Sequence, residues 1–295
     1  MVLSSRFGDR LGQWIIDGLL ILIALLCLAP LLHVVALSFS DKAAAAAGNV
    51  TFLPVDFTTS SYRLLLKDRL FFASFVTSVE RVILGGGLNF MLTLLMAYPL
   101  SRDVKQFKLR HLYTWSILFT MLFSGGLIPW YMTVKTVGIL DTIWALVLPG
   151  AVPVFSVVLL MNFFRSIPRD LDEAGTVDGA GPWYMLFFVY LPISLPAIAT
   201  VTLFSIVGHW NSFFDGLMLM NKPEHYPLQT YIQQLVVQKM NDAMSDADSR
   251  QLLSQISDRT LNAAKIFVSM VPILFVYPFL QRFFVHGIIL GSVKE

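Results

Sequence analysis

Asp170, Asp172, Glu173 and Asp178 crowd four carboxylates into one short segment that Gly175, Gly179 and Gly181 also punctuate. Carboxylates so placed could hold a cation, exchange protons with a substrate or pair with a basic partner. Enzyme chemistry finds little support, because no His-x-x-x-His pair, no Gly-x-Ser-x-Gly elbow and no metal-spaced acidic set occurs in the chain. A charged helix fits better. Ser166 and Pro168 suit its start, Asp170, Asp172 and Glu173 suit the positive end of its dipole, and Gly179 with Gly181 and Pro182 ends it. Leu171, Ala174, Gly175 and Asp178 then recur at i, i+3, i+4 and i+7, with Gly179 one turn beyond Gly175. That face is small enough to enter a groove on another protein; a solvated connecting turn fits the pattern equally.

Other reactive residue types carry less. A phosphate-cradling loop would read Gly-x-x-x-x-Gly-Lys followed by Ser or Thr, and no such string occurs, so any ATP must be hydrolysed on another chain. Gly85, Gly86 and Gly87 lie in an apolar run and read as close helix packing or a flexible bend. Glu80 and Arg81 stand at the edge of the same run, where an ionisable group is by default a functional candidate. Thr77 with Glu80 also makes a Thr-x-x-Glu capping box, and structural capping is the reading adopted over a proton or substrate role. Asp141 with Thr142 likewise reads as a helix cap. The single cysteine, Cys27, excludes an intrachain disulfide and a cysteine metal cluster, and it reads as a packing residue.

Composition decides which elements carry these residues. Of 295 residues, 56% are hydrophobic and 14% charged, where soluble domains carry about 25% charge. Too little polar surface remains to cover a soluble core, and a lipid-facing exterior resolves the mismatch. The net charge of +2 points to neither a nucleic-acid partner nor a polybasic membrane patch. Apolar runs of roughly 20 residues predict six transmembrane helices, at Trp14–Phe39, Val79–Leu100, Leu112–Val134, Thr142–Phe164, Trp183–Val207 and Ala264–Ile289. The expected fold is an all-α integral membrane protein, a single membrane domain over residues 1–295. The first run follows Arg6 and Arg10 but exceeds the length of a signal core, so it reads as an uncleaved span.

Arg102, Lys105, Lys108 and Arg110 form the densest basic cluster, which places the loop between spans two and three in the cytoplasm. Both termini and the loop at 165–182 are then cytoplasmic, and longer segments at about 40–76 and 209–262 face outward. Ala43–Ala47 reads as a low-complexity linker and Leu53–Thr58 as extended or turn structure. Pro227–Met240 repeats apolar residues at near-helical spacing, ahead of a polar run at Asn241–Arg259. It suits an amphipathic segment on the rim or a docking surface for an external partner.

Glu173-Ala174-Gly175, then Gly179, then Val189, Leu191 and Pro192, resembles the EAA signature of ABC importer permeases at every spacing. Gly175 replaces the second Ala of that signature and Val189 its Ile. Leu140–Pro149, Gly208–Ser212, Tyr226–Gln229, Tyr277–Gln281 and Gly287–Lys294 are similar to passages of the MalG-like, carbohydrate-importing branch, and the outer segments are similar to the smaller permease of an alginate importer. The resemblance implies a type I importer permease architecture with a short cytoplasmic coupling helix, in which Asp172, Glu173, Ala174, Gly175, Asp178 and Gly179 dock on an ATPase. It also implies a second permease, two ATPase subunits that bind ATP and Mg in trans, and a periplasmic or tethered solute-binding protein, in the bacterial inner membrane. This chain itself is expected to bind no cofactor and no metal. For a saccharide, Trp210 could stack on pyranose C–H groups while His209 and Asn211 bond hydroxyls; the interfacial end of span five is the competing reading for this triplet. Asn162 and Asn89 are weaker candidates that suit helix-to-helix hydrogen bonds.

An acidic uronate chain is the leading expectation for the cargo, with neutral oligosaccharides as the alternative. A self-contained secondary transporter or channel is the competing function, and it lacks evident buried acidic groups for ion coupling. A membrane scaffold would explain the spans but not the EAA spacing. The topology is testable by labelling: a cysteine at residue 105 should react only from the cytoplasm and one at residue 245 only from outside. Reaction of both from one face would remove the six-span arrangement.

Overall fold

Among the described residues, α1 (Phe7–Ser38), α4 (Arg69–Ser101) and α15 (Arg259–Val276) are unbroken helices of spanning length, and three further apolar runs are helix pairs bent at a short break. The computed structural model describes residues 7–244, 259–276 and 278, and among these there is no β-strand. The polar stretch from 245 to 258 and most of the sixth run beyond Val276 lie outside the described residues, as do the matched passages at Tyr277–Gln281 and Gly287–Lys294. The chain divides into two compact units, residues 1–69 with 234–270 and residues 70–233 with 271–295.

In the first unit, α1 is apolar on all sides and its side chains from Trp14 to Leu32 are largely exposed, as suits a helix solvated by lipid. Its end is tied by Ser40, whose hydroxyl donates to Ala36 O at 2.7 Å, and by Ser38, which bonds Tyr62 Oη at 2.8 Å. The alanine run expected to be a linker is a short helix, α2 (Lys42–Ala46). Asp41 caps it by accepting from Ala43 N at 2.9 Å, and Ala44 and Ala45 bury themselves beside Ala36. Small side chains allow this close approach, so low complexity here marks packing. A further short helix, α3 (Ser60–Leu65), completes the segment before α4.

In the second unit, α4 begins well before the predicted start of span two, so the preceding loop ends at residue 68 and Thr77 lies inside the helix. The expected capping box does not form: Thr77 Oγ1 donates back to Ala73 O at 3.0 Å. Spans three, four and five are each bent pairs. α5 (Arg110–Leu122) meets α6 (Leu127–Val137) at 113°, α7 (Ile143–Val147, with its following turn) meets α8 (Val154–Ser166) at 45°, and the helical run Pro182–Ile193 meets α12 (Leu195–Asn211) at 85°. The causes are local. Gly126 turns the chain with φ of +88°, and Pro149, Gly150 and Pro153 interrupt span four. Pro192 and Pro196 bracket the bend at Ser194. Pro192 also cannot donate to the carbonyl of residue 188 and crowds it. The turns before it widen into a π-helix at Met185–Tyr190, between α10 (Pro182–Tyr184) and α11 (Leu191–Ile193).

The predicted amphipathic run is the helix α14 (Leu228–Met244), preceded by α13 (Phe214–Leu219). Asp141 is not the cap of span four; Thr142 holds that position without a side-chain bond. With φ of +59°, Asp141 instead accepts from Asn221 N at 2.9 Å and Lys222 N at 3.3 Å and lies 3.0 Å from His225 Nδ1. Burial raises its pKa, but the bonds to Asn221, His225 and Lys222 outweigh that and hold it below the ordinary carboxylate value. The N-terminal end of span four is thereby pinned to the chain after α13.

Carbonyls freed by a bend in a membrane need donors from the protein, because lipid tails have none and the hydrocarbon core holds no water. Asn89 of α4 meets the need in span four. Its amide nitrogen faces the carbonyls of Gly150, Ala151 and Gly85, each at 3.1 Å, while its oxygen accepts from Ser205 Oγ at 2.9 Å and His209 Nε2 at 3.1 Å. The helix-to-helix role expected for Asn89 holds, with broken backbone as its target. Asn89→Leu should therefore destabilise the purified protein by about 1–3 kcal/mol. Asn89→Asp, equal in shape but unable to donate, should do the same. An unchanged thermal midpoint for Asn89→Asp would contradict the capping role.

Candidate functional site

Pro168 holds Ile167 extended, with ψ of 134°, and so separates α8 from α9 (Asp170–Val177). Ser166, expected to start the short helix, closes α8 instead and donates to Phe163 O at 2.7 Å. Asp170, Asp172 and Glu173 occupy the first turn of α9, where its dipole favours negative charge. At the other end Gly179 adopts φ of +72°. Gly179 N donates to Thr176 O at 3.1 Å and Ala180 N to Gly175 O at 2.8 Å, the pair of bonds that reverses a chain after a helix. A leucine at 179 would be strained in this backbone whatever lay beyond it.

Of the face expected to enter a partner's groove, Leu171, Ala174, Asp178 and Gly179 are exposed and Gly175 is half-buried. Asp170, Glu173, Ala174 and Val177 are exposed, Val177 by 87%, and they recur at i, i+3, i+4 and i+7. Asp178 caps the helix and is exposed too, whereas Gly175 faces inward. A methyl group at Gly175 would collide with Met185 Sδ and force that side chain to re-rotate. The glycine that departs from the EAA pattern thus has a partner in this chain. Asp172 also turns inward. It accepts from Arg102 Nη1 and from Tyr190 Oη, both at 2.7 Å. Arg102 lies over the rings of Tyr98 and Tyr190, at 4.5 and 4.2 Å from their centroids. Burial lowers the pKa of Arg102, but its contacts with Tyr190 and Asp172 more than offset this and keep it charged. Glu173, by contrast, stays exposed at the edge of a cavity of about 300 Å³ that Arg102, Arg110, Arg165 and Arg169 also line.

A second cluster joins α4 to α12 and to the start of α13. Arg81 is buried, and its guanidinium pairs with the Asp215 carboxylate through both Nη atoms; the Nη1–Oδ1 distance is 3.1 Å. Asp215 is further held by Ser212 Oγ at 2.8 Å and Gly216 N at 2.9 Å. Arg81 Nε donates to His209 Nδ1 at 3.4 Å, which together with the Nε2–H bond to Asn89 describes a neutral imidazole. Gly85 makes room for that ring: a Cβ there would lie 2.5 Å from His209 Nε2. The packing reading of the glycine run is realised at this position.

Arg81, Asn89, Ser156, Ser205, His209 and Ser212 line a cavity of about 260 Å³. Ser212 and Asp215 also border a larger, open cavity of about 670 Å³, walled by Trp130, Thr133 and the span-three bend at Ser124–Gly126. Of the four residues expected in a substrate pathway, His209 alone lines either of these cavities. Trp210 is buried edge-on against Phe75 at 5.7 Å, and Asn211 and Asn162 are exposed away from both. Asp215 and Tyr190 carried no signal in the sequence, Arg81 was set aside there in favour of capping, and Arg102 figured only in the basic cluster. The available signal was Arg81 itself, an ionisable residue inside a span.

Residues 70–290 match the family described as binding-protein-dependent transport system inner membrane component. The chain is 37% identical over 288 residues to the polygalacturonan/rhamnogalacturonan transport system permease protein YtcP of Bacillus subtilis, covering 97% of this chain and 99% of that one. It is 36% identical to the protein LplC of the same organism, with 90% and 88% covered. Its fold is similar to a chain in the crystal structure of a bacterial ABC transporter involved in the import of the acidic polysaccharide alginate. There the TM-score is 0.85 at 29% identity, with 96% of this chain and all of that chain covered. A match across three quarters of the length, carrying the EAA-spaced helix and the bent spans described above, leaves one assignment: the chain belongs to the inner membrane component family of binding-protein-dependent transport systems.

Proposed function

We propose that this chain is one permease half of an ABC importer that carries acidic oligo- or polysaccharide across the bacterial inner membrane by alternating access. It works with a second permease, two ATPase subunits that bind ATP and Mg, and a solute-binding protein on the outer side. The observation that carries the reading is α9, a short helix whose inner face is locked to the chain and whose outer face offers Glu173, Ala174 and Val177. A helix anchored in this way can act as a rigid lever for an ATPase on the cytoplasmic side. Acidic cargo is supported by two relatives, the polygalacturonan/rhamnogalacturonan permease and the alginate transporter. Backbone bends within the spans, bordered by cavities with His209, Ser205 and Trp130, supply hydroxyl-bonding and stacking groups along a route. The secondary-transporter reading gains nothing from Asp215, since Arg81 already neutralises it.

Glu173→Lys tests the docking face. Membrane insertion and pairing with the second permease should stay close to normal. Retention of the ATPase should fall tenfold or more, as loss of one charged contact of about 1.5 kcal/mol requires. Uptake of galacturonate oligosaccharide in reconstituted vesicles should fall with it. Full ATPase retention and full uptake in this variant would remove Glu173 from the docking surface.

A further inference from the structure

The inward face of α9 does more than hold the helix in place. It grips the π-helical stretch Met185–Tyr190 at both ends: Asp172 bonds the hydroxyl of Tyr190, and Gly175, one turn later, packs against Met185. A π-helix closes its hydrogen bonds one residue further along the chain than an α-helix does, and such short π turns are frequent at functional sites. Tyr190 is 1% exposed and meets Tyr98 and Phe164 edge to face, both at 5.4 Å. Arg102 completes the contact on the other side. It follows directly on α4, stacks between Tyr98 and Tyr190 and bonds Asp172. The backbone at this end of α4 is held in turn by Arg165, which donates to Leu100 O at 2.9 Å, and by Arg110, which donates to Arg102 O at 2.8 Å.

Building on the coupling role of α9, we propose that Arg102, Asp172 and Tyr190 form the joint that carries movement of α9 into spans two and five. Asp172 is a positioning residue in this scheme and faces the membrane helices, while the ATPase sees the opposite side of α9. A displacement of α9 pulls on both ends of the π segment and, through Arg102, on α4. Because α4 carries Arg81 and Asn89 and the π segment leads into α12, the same displacement reaches the polar cavity at His209.

The test uses the assembled complex with its partner permease, ATPases and binding protein in lipid nanodiscs, with Cys27→Ser as background. The probe is Ser124→Cys, at the span-three bend, labelled by a membrane-impermeant maleimide with and without ATP and vanadate. Labelling should change on vanadate trapping when the joint is intact. In Tyr190→Phe, which keeps the ring, and in Asp172→Asn, which keeps the shape, the ATPase should stay attached and hydrolyse ATP while the trapping-dependent change is lost. A full change in either variant overturns the joint. Release of the ATPase by Asp172→Asn also overturns it, by placing Asp172 on the docking face, and failure of both variants to assemble would reduce the cluster to a folding role. A complex with unsubstituted Arg102, Asp172 and Tyr190 that retains no ATPase, or shows no change on trapping, overturns the coupling reading itself.

Discussion

A bend inside a membrane span leaves backbone carbonyls facing a medium that offers no donors, and this chain bends three of its spans. The polar residues within the bundle follow from that constraint. Asn89 turns its amide nitrogen to Gly150 and Ala151 and its oxygen to Ser205 and His209. His209 then seats on Gly85 and receives Arg81, and Arg81 pairs with Asp215 just past the end of α12. Each group is satisfied by the next, so an apolar helix bundle can hold a charge pair and a polar cavity without leaving an ion unpaired in low dielectric.

The same logic shapes α9. A polar helix of this length has little stability alone, and it persists because its inner face is bonded to Arg102 and Tyr190 and closed by the turn at Gly179. Division of labour between its two faces follows. Residues that fasten the helix are taken by this chain, and those left exposed are free for a partner. The proposed lever role needs a helix that is anchored on one side and accessible on the other, and α9 has both features.

What could be read from the sequence depended on the distance between partners. Five apolar runs stand as helices or bent pairs close to their expected places, because apolar length alone specifies a span. The end of α9 was legible too, since a glycine after a charged helix is a local signal. The inward turn of Asp172 was not, because its partners are distant: Arg102 is 70 residues away and Tyr190 is 18 away. Arg81 was assigned with Glu80 to a capping site because the helix was taken to begin near Thr77, and its partner Asp215 lies 134 residues on. Bends stayed hidden because an apolar run looks alike whether straight or broken, although Gly125-Gly126, Pro153 and the Pro192/Pro196 pair stood in the right places.

The proposed coupling role requires the outer face of α9 to be the contact for a separate ATPase. A photo-reactive amino acid at Val177, which is 87% exposed, tests it directly in intact membranes. Irradiation should yield an adduct with the mass of this chain plus one ATPase subunit. If the ATPase co-purifies with the complex and residue 177 still forms no adduct with it, the assignment of α9 as the coupling helix is contradicted.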